Sequence, residues 1–166
     1  MRKERMNNKG FSLVELIIVI AIMAILAAAL APQLMKYIEK SRVSTDATSC
    51  SSIESCVNAA LANEEAYKEI AKTGENSATY KQTTFYVGIS KTENKLKIQG
   101  LTGCAEFQKE LLEALSGLKA PKQTGMYSYK VEIEVKEATV KGAADTTSTV
   151  FDIGKIRVET DKTEIS

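Results

Sequence analysis

Histidine is absent from all 166 residues, and with it the commonest general base near neutral pH and the commonest metal ligand. Most hydrolase triads and zinc sites are excluded on that ground. Net charge is nearly absent too: 22 Lys and Arg stand against 21 Asp and Glu, giving +1. The balance gives no electrostatic reason to expect a nucleic-acid or an acidic-lipid partner. Cysteine is scarce, at three residues, and an odd number cannot all pair within one chain. Cys50 and Cys56 lie six positions apart on an expected helix, roughly 9 Å along its axis, and cannot bond to each other. A pairing of Cys104 with either one is left open, beside the plainer reading of three small buried apolar residues. No cofactor and no metal site is expected. Asp145, Asp152 and Asp161 are too scattered to form a calcium loop.

What the chain does have is one long apolar run. From Phe11 it reads FSLVELIIVIAIMAILAAALA, broken only by Ser12 and Glu15, before Pro32. About 20 apolar residues suffice to cross a bilayer. Ahead of the run lies MRKERMNNKG, where Arg2, Lys3, Arg5 and Lys9 outweigh Glu4. A secretory signal is the first alternative, and Ala29-Leu30-Ala31 offers it a cleavage site. Its apolar core is usually about 7–15 residues, however, and Pro32 stands where the first mature residue would have to fit the peptidase.

Past Pro32 the helical signal continues. Val43, Ala47, Cys50, Ile53, Val57, Ala60 and Leu61 recur at steps of three and four, with Lys40, Asp46, Ser49, Glu54 and Asn58 on the other faces. The pattern predicts one helix from Phe11 to about Lys72, with Pro32 kinking it. Phe85–Ile89 and Lys95–Ile98 read as strands around a turn at residues 92–94. A short helix is expected after Gly103, ending near Leu118, ahead of Pro121. Tyr127, Tyr129, Val131, Ile133 and Val135 alternate with Ser128, Lys130, Glu132, Glu134 and Lys136, the clearest half-buried strand. Residues 142–148 read as a loop, and residues 149–159 as two short strands meeting around Asp152 to Gly154. The expected fold is α+β: a long N-terminal helix, half membrane and half amphipathic, packed against an antiparallel sheet. Tyr127 and Tyr129 share a strand face; burial is the expectation, with an adhesive or stacking patch as the alternative.

The stretch KGFSLVELIIVIAIMAILAAALAP resembles the N-terminus of type IV prepilins in its basic leader, its glycine before the cut and phenylalanine after it, and the glutamate five residues on. The resemblance implies cleavage between Gly10 and Phe11 by a prepilin peptidase and N-methylation of Phe11. It implies that Glu15 pairs with the amino group of a neighbouring subunit's Phe11 during assembly, and that Pro32 is the family's helix proline. The implied organisation is a removed leader over residues 1–10, a transmembrane or filament-core half-helix over 11–34, and a globular head over 35–166. The implied product is a homopolymer, a surface filament serving adhesion, motility or aggregation. Its subunits would wait in the cell membrane as single-pass proteins until the pilus assembly machinery uses them, and the pilus itself is extracellular. The sequence departs from the family's pattern at Ala24, where a glycine is common, and at Ser52, where a second proline is common. No cysteine follows Cys104 to make the usual C-terminal disulfide. The runner-up is a pseudopilin of a type II secretion or DNA-uptake system. A membrane-tethered enzyme is more remote, because no Lys-Ser or Asp/Glu pair falls at a catalytic spacing.

Overall fold

The structure is a computed structural model, and it describes residues 11–72, 81–141 and 147–165. The chain divides into two compact units, residues 1–41 and 42–166. Helix α1, Leu13–Ala60, is 48 residues long and contains Pro32 without being ended by it. In the first unit every large apolar side chain from Phe11 to Ile38 is exposed. An 18-residue window of α1 reaches a mean hydropathy of 3.0 with none of it buried.

Within the second unit α1 contributes Ile53, Val57 and Ala60 to the core, spaced by four and three. The buried stripe is therefore offset from the one the periodicity suggests. Val43 and Ala47 are exposed, whereas Asp46, expected on the solvent face, is 1% exposed. The helix also stops sooner than expected. Ala62 and Asn63 donate to the carbonyls of Ala59 and Ala60 three residues back, tightening the last turn. Asn63 then caps a separate helix, α2 (Glu64–Lys72), its Oδ1 accepting the N–H groups of Glu65 at 2.9 Å and Ala66 at 3.4 Å.

Strands β1 (Lys81–Ile89) and β2 (Leu96–Gln99) form the expected hairpin. Helix α3 spans Ala105–Ala114, four residues short of the expected end, and Leu115 and Leu118 continue as a turn. It lacks a side-chain cap from Cys104. Glu69 on α2 replaces it, taking the Phe107 N–H on its Oε2 at 3.0 Å. Strands β3 (Ser128–Lys141) and β4 (Thr147–Asp161) complete a fully antiparallel sheet in the order β2-β1-β3-β4.

β4 is one strand, not two. Ile133 faces Ile156 while Val135 faces Ile153, so Gly154 and Lys155 together oppose Glu134. That bulge absorbs the irregularity that read as a break, and the Lys155 N–H turns to the Glu134 carboxylate at 3.3 Å. One face of the sheet, carrying Phe85, Val87, Tyr129, Val131, Ile133 and Ile156, closes over α1, α2 and α3 in a single core. Phe85 and Phe107 meet edge to face with ring centroids 5.9 Å apart.

The opposite face is not wholly open. Ser128, expected outward, is fully buried, and Ile165 is 2% exposed beside it. Ile165 lies over the Gly88–Ser128 pair: a Cβ on Gly88 would come within 3.1 Å of Ile165 Cγ1, 3.2 Å of the Tyr127 carbonyl and 3.3 Å of Ser128 Cβ. Gly88→Ala would gain up to about 1 kcal/mol from strand propensity but force overpacking worth about 1–3 kcal/mol. A net loss of stability is expected on chemical denaturation. In an Ile165→Ala background the cost should shrink to what the Tyr127 carbonyl and Ser128 Cβ still impose. Equal costs in both backgrounds would exclude Ile165 as the obstacle.

Candidate functional site: the N-terminal helix and its junction with the head

Phe11 and Ser12 precede α1, and the geometry there is a helix cap. Ser12 is the N-cap residue, its carbonyl accepting the Leu16 N–H at 3.2 Å. Glu15, three residues on, reaches back so that its Oε2 accepts the Ser12 N–H at 2.9 Å. This is the acidic half of a capping box, and the Ser-x-x-Glu spacing ahead of an apolar run was its sequence signal. Glu15 is exposed among exposed apolar neighbours, Leu16, Ile17 and Ile18. No base occurs between Phe11 and Met35, and among the described residues none pairs with Glu15. Within one chain the carboxylate thus has a hydrogen bond but no countercharge. Of the expected cleavage pair, Phe11 is 87% exposed and Gly10 lies outside the described residues.

Within the second unit, α1 is tied to the loop before β3 through Asp46. Its Oδ1 accepts the Lys122 N–H at 2.8 Å, and its Oδ2 accepts those of Lys122 at 3.1 Å and Gln123 at 2.9 Å. The loop between α3 and β3 is thereby fastened to α1. Arg42 Nη1 donates to Thr124 Oγ1 at 3.2 Å, and Gln123 Nε2 to Thr160 Oγ1 at 3.4 Å. Tyr129, buried as expected, donates its hydroxyl to the Lys119 carbonyl at 3.3 Å. Burial pushes its phenol up from the ordinary range; the Asp46 and Cys50 charges add to this, and a hydrogen bond with Ser49 opposes it. Tyr127 departs from the burial expectation. It precedes β3 and is 41% exposed, with Lys91 Nζ 4.4 Å from its ring centroid and also 2.5 Å from Glu164.

All three cysteines are free thiols. Cys56 Sγ lies against the Ala114 carbonyl and Cys104 Sγ against that of Glu69. Burial, followed by the Glu69 carboxylate, pushes the Cys104 thiol up. Burial, followed by Asp46 and Glu159, does the same to Cys50. Neither setting makes a reactive thiolate. Among the described residues no group of three or more His, Cys, Asp or Glu side chains could hold a metal ion. An open groove of about 380 Å³ between α1 and the edge strand β4 is lined by Val43, Ala47, Cys50, Glu54 and Val158 among others. Its lining includes the Cys50 thiol, which burial pushes up, and the Glu54 carboxylate.

An exposed apolar helix that begins with a buttressed acid and continues into a sheet-covered head defines an α+β arrangement consistent with a pilin-like fold. Residues 5–31 match a family model, the prokaryotic N-terminal methylation motif, which is the class III signal peptide of type IV pilins. The chain thus carries the signal of a type IV pilin-like or pseudopilin precursor. The match spans the second half of the leader from Arg5, the Gly10–Phe11 pair, Glu15 and the apolar run to Ala31. No solved structure matches the chain.

Proposed function

We propose that this protein is the structural subunit of a type IV pilus. A prepilin peptidase cuts it between Gly10 and Phe11 and methylates Phe11; it waits in the membrane on the first half of α1 and polymerises into a surface filament. The observation that carries this reading is the methylation motif at residues 5–31, which places a glycine, a phenylalanine and a membrane-length apolar helix in that order. Exposure of every large apolar side chain from Phe11 to Ile38 supports it, because such a surface requires either lipid or other copies of the helix around it. The role is structural rather than enzymatic, with other copies of the chain, the peptidase and the membrane assembly machinery as partners. Residues 35–166 form the head displayed on the filament.

Intact-mass analysis of filaments sheared from cells tests the reading. The expected polypeptide begins at a methylated Phe11. A chain beginning at Pro32 would mark an ordinary secretory signal, and correct processing without sheared filaments would move the protein to the pseudopilins.

A further inference from the structure

At Asp161, where β4 ends, the chain turns back over the outer face of the sheet. The Tyr127 N–H donates to the Asp161 carbonyl at 2.9 Å, and Asp161 itself pairs with Ser128 in the ladder. Residues 162–165 then carry Ile165 over the neighbouring Gly88–Ser128 pair. Ile165 is buried, Thr163 is half-buried, and Lys162 and Glu164 are exposed.

Two carboxylates and one apolar side chain hold this segment down. Asp161 Oδ1 accepts the Thr163 N–H at 2.7 Å and the Thr163 hydroxyl at 2.5 Å. Glu164 Oε1 pairs with Lys91 Nζ at 2.5 Å, each side chain being more than half exposed, and the same ammonium lies 4.4 Å from the Tyr127 ring centroid. Ile165 supplies the apolar contact, and that contact is opposed from below. The Ser128 hydroxyl is buried with no hydrogen-bond partner among the described residues. Closure therefore keeps a polar group desolvated that opening would return to water.

We infer that residues 162–165 are an acid-released latch, closed over Gly88 and Ser128 while Asp161 and Glu164 are ionised and open, with the sheet intact, once they are protonated. The Thr163 hydroxyl does most to hold the Asp161 carboxyl below its ordinary range; burial opposes it, and the Thr163 N–H, Lys130 and the Lys162 N–H add to the lowering. A carboxyl lowered in this way stabilises the closed form fully above the ordinary carboxylate range, and that contribution is lost as the pH falls through and below it. The cations facing the two carboxylates are Lys130 on β3, which Glu132 and Glu159 also share, and Lys91 on the β1–β2 loop. Protonated Glu164 no longer attracts Lys91, which keeps its place on the Tyr127 ring. Opening thus changes one corner of the head: the Gly88–Ser128 seat is bared and Lys91 loses its countercharge.

The test uses the full-length chain in nonionic micelles, with isoleucine methyl groups labelled for NMR and a soluble gadolinium chelate added to report exposure. At pH 7 the Ile165 methyl should be broadened no more than that of Ile133, which lies in the core. At about pH 3 its broadening should rise about threefold or more while that of Ile133 stays constant. Asp161→Ala with Glu164→Gln should expose Ile165 at pH 7 and remove the pH dependence. Ser128→Ala, which deletes the unpartnered hydroxyl, should move release to lower pH. An Ile165 methyl that stays protected at acid pH, or in the double variant, overturns the inference. So does broadening of Ile165 and Ile133 together, which would mark acid unfolding of the whole head, or a release pH that Ser128→Ala leaves unmoved.

Discussion

Glu15→Ala protein accumulates in the membrane and yields no filaments. Two opposing effects set this expectation. Removing a carboxylate from an apolar setting favours insertion by up to about 2.5–3.5 kcal/mol on insertion scales. The mutation also deletes the Ser12 N–H bond at 2.9 Å, a local loss of about 1 kcal/mol, too small to reverse the gain. The membrane-stored subunit therefore survives. In a filament the change would leave a neighbouring Phe11 ammonium buried without its partner, and breaking one member of such a pair costs about 3–5 kcal/mol at each subunit. Repeated along a polymer, that prevents growth. Sheared filaments and membrane-bound protein are compared for mutant and parent in cells with no other copy of the gene. Normal filament yield from Glu15→Ala would end the assembly assignment and leave Glu15 as a helix cap only.

Asp46→Ala should lower the stability of the head more than any exposed substitution on α1. The buried carboxylate accepts three hydrogen bonds from two backbone N–H groups, and alanine leaves both donors without a partner. Each unsatisfied buried donor costs about 1–3 kcal/mol, and partial access of water to the loop brings the total to about 2–4 kcal/mol. For a unit of this size the melting temperature should fall by about 10 °C. Asp46→Asn keeps one acceptor but turns an NH2 toward the donors, so about half the loss is expected. A fragment beginning near Lys36 suits the measurement, because every buried member of the apolar core lies at or beyond Ile53 and Cys50, packed against it, is also retained. Thr48→Ala, at an exposed position whose hydroxyl bonds only to the Ser44 carbonyl, is the control. A shift for Asp46→Ala no larger than that of Thr48→Ala would show that the loop does not depend on the carboxylate.

The residues that dictated the α+β class are those whose neighbours in sequence suffice to explain them. The apolar run after Phe11 specifies a helix whatever else the chain does, since a membrane or a bundle of like helices is the only setting that accepts it. Alternation from Tyr129 to Val135 specifies a strand with one face in the core, and those four positions, 129, 131, 133 and 135, are buried. The Gly10–Phe11–Glu15 spacing carried the same signal that the family model detects at residues 5–31. Local chemistry also specifies two features that apolar periodicity does not: Ser12-x-x-Glu15 is a cap by its spacing, and Asn63 ahead of Glu64 and Glu65 is a helix start inside an apparently continuous pattern.

The remainder depended on partners far along the chain. Asp46 is polar and sits in a run of serines and threonines, so periodicity assigns it to solvent; it is buried because the N–H groups of Lys122 and Gln123, 76 and 77 residues away, compensate its desolvation. Ser128 alternates as an outward residue and is covered because Ile165 returns over Gly88. The turn-like sequence at Gly154 resolves as a bulge in one strand because β3 supplies an unbroken partner on which β4 can pair on both sides. Periodicity reports which face of its own element a residue occupies. Whether that face meets solvent, a backbone donor or another strand is decided by long-range packing, on which local pattern carries no information.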